Sequence, residues 1–210
     1  MDKSKLTPAF YLSVIDDALG APEQHAREIT GMVLKRGASF ENTDKKRDTR
    51  LIDAVAIGNE SQIRSAIADG LNVNEAFRNG WTPYLVACAV GDFNAAKILV
   101  KAGADTSAKS KTVFSVSSPL HFALRSENPE MIKFAFEQTP HAEREATLVE
   151  AIMWSADTTS PAALKTAFEL ATNKPAAVRA AFSRVADLMT PATTDMILEA
   201  LASSGMAKHP

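Results

Sequence analysis

The feature that most constrains this chain is a regular spacing of glycines. Gly37, Gly70 and Gly103 follow one another at intervals of 33 residues, and each comes after a short apolar stretch. Gly58 and Gly91 are separated by the same interval of 33 residues. A fixed period of this length is typical of repeat proteins, in which each repeat is one small supersecondary unit. We therefore expect a stack of similar units, in which each unit contacts its neighbours in the sequence.

The repeating pattern is most complete in residues 79–107. The dipeptide Asn79-Gly80 favours a tight turn with positive φ. Thr82 follows as a helix N-cap, and Pro83 follows as the first helical residue, where its missing N–H has no intrahelical partner to lose. Apolar residues at helical spacing then predict a short helix that ends before Gly91, and a second helix over about residues 93–102. The unit is thus predicted to be a pair of antiparallel helices.

This unit resembles an ankyrin repeat. The residues that carry the resemblance are Trp81-Thr82-Pro83-Tyr84-Leu85-Val86-Ala87, then Gly91, then Gly103-Ala104-Asp105. The family pattern opens with Thr-Pro-Leu-His-x-Ala, and Leu85 stands here in place of its histidine. Ser118-Pro119-Leu120-His121-Phe122-Ala123 repeats the opening 36 residues later, which implies an insertion of three residues.

The resemblance implies an all-α fold, an ankyrin-type α-solenoid of about five to six stacked helix pairs with short hairpin loops. We predict one continuous solenoid in three parts. Residues 1–46 form a degenerate N-terminal capping repeat, residues 47–140 form three ankyrin repeats, and residues 141–210 form degenerate C-terminal helix pairs. The Gly-Ala-Asp signature is absent after Asp105, so a plain helical bundle stays open as the alternative for the C-terminal part.

Signals for catalysis or cofactor binding are weak. The single cysteine, Cys88, excludes an internal disulfide and a multi-cysteine metal site. No glycine-rich phosphate loop occurs, and the four histidines have no metal-ligand spacing. His121 belongs to the repeat signature, so we interpret it as a structural, hydrogen-bonded histidine. We expect no cofactor, no metal and no catalytic residues.

Charge and hydropathy narrow the range of partners. The chain has 23 basic and 25 acidic residues, so it offers no strongly basic surface to nucleic acid. The densest basic cluster, residues 44–50, also contains aspartates, which favours a solvated turn. No apolar stretch approaches the about 20 residues of a transmembrane helix, and the polar residues 1–8 lack a signal-type apolar core. We expect a cytoplasmic protein that is monomeric by itself.

The resemblance also implies a binding surface, made by the first helix of each pair and by the finger-like hairpin loops. The predicted partner-binding residues on the first helices are Asp53, Ile57, Val86, Val90, Phe122 and Arg125. Those on the fingers are Phe77, Arg78, Lys111 and Phe114. Phe114 lies in the insertion, where an exposed aromatic ring would mark an interaction site. The alternative is that Phe114 folds back over the edge of the solenoid.

These observations favour a non-enzymatic protein–protein interaction module that acts as a regulator, an inhibitor or an immunity-type protein. One alternative is a bacterial effector that is secreted to bind a host or rival protein. The alanine-rich C-terminal part and the low cysteine content fit a bacterial source. The other alternative is an enzyme with its site in the C-terminal helices. Its candidate residues are Glu150, Trp154, Asp157 and Asp187, although their spacing is not catalytic.

Overall fold

A computed structural model describes residues 28–32, 34, 47–111, 116–155, 160–186 and 191–203. Between residues 50 and 203 the described chain forms five consecutive pairs of α-helices. In chain order they are α1 (Arg50–Ala56), α2 (Glu60–Ala68), α3 (Pro83–Ala89), α4 (Phe93–Lys101), α5 (Pro119–Arg125), α6 (Pro129–Gln138), α7 (Arg144–Ser155), α8 (Pro161–Leu170), α9 (Lys174–Ala186) and α10 (Pro191–Ser203). A 3-10 turn at Arg78–Gly80 precedes α3.

The strands belong to a single small hairpin in the described part of the chain. Strand β1 (Ser110–Lys111) pairs antiparallel with β2 (Val116–Ser117), with Ser110 opposite Ser117. The hairpin occupies the loop between α4 and α5, where the sequence carries its insertion. The rest of the described regular structure is helical, which confirms the all-α prediction.

The helices pack in two layers. The first helices of the pairs contact one another in series, from α1 through α3, α5 and α7 to α9. The second helices do the same from α2 to α10, and the two members of each pair also touch. This is the arrangement of an ankyrin-type solenoid, in which each unit buries its apolar faces against its neighbours. The series continues through α7 to α10, so the C-terminal helices stack on the repeats as further pairs.

Local sequence signals explain where the helices begin. The Thr82 hydroxyl accepts a hydrogen bond from the Leu85 N–H at 3.3 Å, and Pro83 is the first residue of α3. Asp92 caps α4 in the same way, with 2.9 Å between its carboxylate and the Ala95 nitrogen. Gly103 follows α4 with φ of +92°, and an added Cβ would meet open space. The backbone conformation alone therefore favours glycine there.

Aromatic contacts join successive pairs in both layers. The rings of Trp81 and Phe122 lie 4.6 Å apart and link the second described pair to the third. In the layer of second helices, Phe93 and Phe134 meet edge to face at 5.4 Å. Contacts of this kind contribute about 0.5–1.5 kcal/mol beyond the burial of the rings. They hold the layers in register.

A carboxylate also links two first helices. Glu145, in the first turn of α7, accepts hydrogen bonds from the Thr172 and Asn173 N–H groups at 3.0 and 2.8 Å and from the Thr172 hydroxyl at 2.8 Å. Those donors precede α9, so Glu145 caps the neighbouring helix. Partial burial acts to raise the pKa of Glu145, but the hydrogen bonds together outweigh it and lower the pKa.

We predict that Leu120→Ala lowers the free energy of unfolding by about 2–5 kcal/mol through the cavity it leaves, because Leu120 is fully buried. Urea denaturation followed by circular dichroism measures the change. The matched control is Leu198→Ala, since Leu198 is 51% exposed and should cost far less. Equal losses for the two variants would contradict the assigned packing.

We predict that Glu145→Ala lowers the free energy of unfolding by about 1–3 kcal/mol, because it removes charge-assisted hydrogen bonds to the α9 N-terminus. Glu143→Ala is the control, since Glu143 lies at the same helix end but is exposed. Because the pKa of Glu145 is lower in the folded protein, its contribution is complete above its ordinary value of 4.5 and is lost as the pH falls toward the folded-state pKa. A difference between the two variants that persists when the carboxylate is protonated would contradict this origin.

Candidate partner-binding surface

Two kinds of element define the candidate surface. One is the side of the first helices that faces away from the second helices. The other is the set of fingers, the loops that lead into the first helices, of which residues 69–82 and 102–118 are described except for 112–115. We call the two together the groove face. The fingers differ in structure, because only the second carries the β-hairpin.

The two described fingers are fixed against each other. The Asn74 side chain donates from Nδ2 to the Gly103 carbonyl at 3.0 Å, and its Oδ1 accepts from the Asp105 N–H at 2.7 Å. The Ser110 hydroxyl donates to the Asn79 carbonyl at 3.1 Å. A Cβ on Gly80 would lie 3.0 Å from the Lys109 carbonyl oxygen, so this close approach requires glycine. The fingers are therefore held in place before any partner binds.

The basic cluster beside the first described finger is neutralised by its own carboxylates. Arg50 forms ion pairs with Asp48 at 2.8 Å and with Asp69 at 2.9 Å. Arg47 lies 3.4 Å from a Glu75 carboxylate oxygen. The Arg50 guanidinium lowers the pKa of Asp48 by hydrogen bonding. These pairs support the interpretation of residues 47–50 as a solvated turn.

Four of the predicted partner-binding residues reach the surface. Ile57, at the C-terminus of α1, is 40% exposed. Lys111 is exposed on β1, and Asp53 and Arg125 are half-buried. Ile57 lines a concavity of about 740 Å³ together with Met32, which is itself 42% exposed. Two large apolar side chains thus share one open site at the N-terminal end of the described first helices.

Four others are buried, which corrects their assignment as direct partner contacts. Val86 and Val90 are 0% exposed, Phe122 is 3% exposed and Phe77 is 6% exposed. Residues 81–92 are buried without exception, so α3 contributes no accessible surface. Phe122 is held against Trp81, as described above. The apolar character of these four residues is explained by core packing, and the accessible parts of the groove face lie on either side of α3.

The remaining two predicted contacts are not settled. Phe114 lies outside the described residues, and so does the side chain of Arg78. Both stay predictions.

His121 has the structural role that its motif predicts. Its Nδ1 accepts a hydrogen bond from the Ser118 N–H at 3.3 Å and lies 2.7 Å from the Ser118 hydroxyl oxygen. An Nδ1 that accepts from an N–H carries no proton, so the ring is neutral with its proton on Nε2. Burial lowers the pKa of His121; Glu150 opposes this effect and Lys109 adds to it.

Cys88 is fully buried, and burial raises the pKa of its thiol. A thiol without access to solvent and with a raised pKa is a poor nucleophile. Core packing, as expected from the sequence, accounts for this residue.

Part of the groove face was not predicted. Alanine and larger apolar side chains lie on the free side of α7 and just before it, next to the start of α9. They enclose, with two carboxylates, an open concavity of about 600 Å³, which we call the α7 shelf. Its lining residues are Ala142, Glu145, Ala146, Val149, Glu150, Met153, Asn173 and Ala176.

A signal for the shelf was present in the sequence. Leu148–Ile152 matches Leu51–Val55 in pattern, and this match carries the surface position of Asp53 onto Glu150. It carries the next position of the same helix face onto Met153. The prediction ended before α7 because the glycine ruler ends at Gly103.

The residues considered for an enzyme do not form a described site. Glu150 is exposed, whereas Asp157, Asp187 and the side chain of Trp154 lie outside the described residues. Within the part of the chain that the structure describes, no group of three or more histidine, cysteine or acidic side chains is arranged to hold a metal ion.

No helix among the described residues has both the length and the apolar character needed to cross a membrane. The cytoplasmic location stays a prediction.

The repeat with the most complete signature has a known counterpart. Residues 79–111 match the family model described as ankyrin repeat. This segment runs from the Asn79-Gly80 turn through α3 and α4 to β1. The chain is an ankyrin-repeat protein. Ankyrin repeats are protein–protein interaction modules, so the groove face of this ankyrin-repeat protein is a surface for another protein.

The fold of this ankyrin-repeat protein is also seen in a solved structure. That structure is titled as the Bd0816 predatory endopeptidase from Bdellovibrio bacteriovorus in complex with immunity protein Bd3460. The match has a TM-score of 0.54 and 16% sequence identity, and covers 89% of this chain and 97% of the other. At that identity the likeness concerns the fold. No curated protein matches the sequence significantly.

We predict that the stability of the ankyrin-repeat protein falls as the pH is lowered below about 6.5, the ordinary pKa of histidine. The folded protein keeps His121 neutral, so the unfolded chain binds the proton first and acid favours unfolding. His121→Gln should reduce the slope of the unfolding free energy against pH by up to about 1.4 kcal/mol per pH unit. Urea denaturation between pH 5.5 and 7.5 measures it.

The control for this experiment is His141→Gln, since His141 is exposed. Its slope should equal that of the unmodified protein. If the His121 variant also kept that slope, the neutral buried form of His121 would be contradicted.

Proposed function

We propose that this ankyrin-repeat protein is a non-enzymatic binder that inhibits or regulates another protein, in the manner of an immunity protein. The observation that carries the proposal is apolar surface left open on the layer of first helices. Met32 and Ile57 are 42% and 40% exposed and line one concavity. Exposed apolar groups that share a site are typical of surfaces that bind proteins.

The rigidity of the surface supports the same function. The fingers are joined by the Asn74 and Ser110 hydrogen bonds, and the layers are joined by buried aromatic rings. A surface that is already ordered loses little conformational entropy on binding, which favours a tight and stoichiometric complex. A protein that blocks its target needs such a surface and needs no catalytic group.

The comparison with solved structures adds support for the immunity-type role. The matched structure is a complex between an endopeptidase and an immunity protein. The shared architecture extends over 89% of this chain, and so includes α7 to α10 as well as the ankyrin repeat. We infer an enzyme as the class of target, bound by the groove face.

The proposal is tested by site-specific photo-cross-linking in the source cells. A benzophenone amino acid is placed on the groove face at Ile57 or Ala146, and on the second helices at Lys97 or Lys133, all of which are exposed. We expect the groove-face positions to capture one and the same protein, and the second-helix positions not to capture it. The captured protein, once purified, should form a 1:1 complex and lose its activity in that complex.

Two outcomes would contradict the proposal. One is capture from the second helices alone. The other is specific capture only from a foreign lysate, which would favour a secreted effector.

We predict that Ile57→Asp weakens the purified complex at least about tenfold, because it places a charge in an apolar contact. Isothermal titration calorimetry measures the affinity. Leu198→Asp is the control, since Leu198 is 51% exposed on α10, outside the groove face. Both variants should keep the melting temperature within a few degrees, because both side chains are exposed. Equal affinity for the two variants would place the interface elsewhere.

A further inference from the structure

The α7 shelf has the spacing of a helix face that binds something. Ala142, Ala146, Val149 and Met153 follow at intervals of 4, 3 and 4 residues, so they lie on one side of the helical path. The opposite side of α7 is buried and packs in the core through Leu148, Ala151 and Ile152. Stacking of the repeats therefore uses one face of α7, and a second apolar face remains accessible.

The shape of the shelf is set by small side chains and by a fixed wall. Ala142 and Ala146 are exposed, and Val149 and Met153 are half-buried. The wall is the start of α9, with Asn173 and Ala176. Because Glu145 hydrogen-bonds the N–H groups of Thr172 and Asn173, that wall is tied to α7. The concavity of about 600 Å³ is therefore preformed, with the adaptable Met153 side chain in its lining.

The charge of the shelf is negative. Its lining includes Glu145 and Glu150 and no lysine or arginine. Glu145 is occupied by the hydrogen bonds to Thr172 and Asn173, whereas Glu150 is exposed and makes no hydrogen bond or salt bridge with other described residues. The charged group closest to a role in recognition is thus the Glu150 carboxylate. It favours a cation beside an apolar group and repels phosphates, acidic peptides and anionic membrane surfaces.

We propose that the α7 shelf anchors a segment of the partner protein in which an aliphatic side chain stands beside an arginine or lysine. The aliphatic group packs on Val149 and Met153 between the alanines. The cation pairs with Glu150, and its aliphatic stem covers the rim of the shelf. This inference rests on the proposed function, since it assigns the chemistry of the partner at one part of the groove face.

The test uses the full chain with 13C-labelled methionine methyl groups and three synthetic peptides. The first is acetyl-Leu-Arg-Gly-Leu-Arg-amide, the second has glutamate in place of arginine, and the third has serine in place of leucine. We expect the Met153 methyl resonance, assigned with Met153→Leu, to shift saturably with the first peptide. The other two peptides should bind at least about threefold more weakly. Equal shifts with the glutamate peptide would overturn the proposal.

Variants of the shelf sharpen the test. Glu150→Gln should weaken binding of the leucine-arginine peptide about threefold, while Glu169→Gln, exposed on α8, should leave it unchanged. Ala146→Arg, which fills the shelf and reverses its charge, should abolish the shift. An unchanged affinity in both shelf variants would overturn the proposal. Melting curves confirm that each variant is folded, since the changed side chains are exposed.

The inference and the proposed function fail in different ways. If groove-face cross-links capture a partner whose affinity is unaffected by Ala146→Arg, the shelf proposal is wrong and the binder stands. If the shelf binds the leucine-arginine peptide as expected and no groove-face position captures a protein, the shelf proposal is supported and the proposed function is wrong.

Discussion

The structure depends on the lateral contact between consecutive helix pairs. A pair such as α3 and α4 has apolar residues on more than one side, so it is stable only when neighbouring pairs cover it. The contacts that provide this cover link one unit to the next: Trp81 with Phe122, Phe93 with Phe134, Asn74 with the following finger, and Glu145 with the start of α9. Because each of them is a nearest-neighbour contact, the position of every surface group follows from the stacking.

Signals that act over a few residues were read correctly from the sequence. The Asn79-Gly80 turn has positive φ at both residues, and Thr82 and Pro83 begin α3 as predicted. The 33-residue period gave the helix pairs because one period corresponds to one unit. Depth was harder to predict. Val86 and Val90 occupy positions where the family has a surface, but in this chain they are fully buried. An apolar residue on the groove side of a helix is consistent with either location, and only the three-dimensional packing decides.

The α7 shelf shows the opposite limit. Its residues follow a clear helical spacing, but the glycines that mark the repeats end before α7, so the register of the surface was not carried forward. What fixes the site is a contact between residues far apart in the sequence. Glu145 and Asn173 are separated by 28 residues, and their hydrogen bond places α9 as the wall of the shelf. Such a pairing has no signature within either segment alone.

The two glutamates of the shelf illustrate how similar groups take different roles. Glu145 spends its charge on N–H donors of the next helix pair, so it serves the stack. Glu150 stays exposed, and it favours the protonated form of His121, which burial opposes. A partner cation at Glu150 would cancel that effect and reinforce the neutral His121 on which the α5 N-terminus depends. Binding at the shelf and stability of the repeat behind it would therefore support each other, as linkage requires of two processes that favour one protonation state.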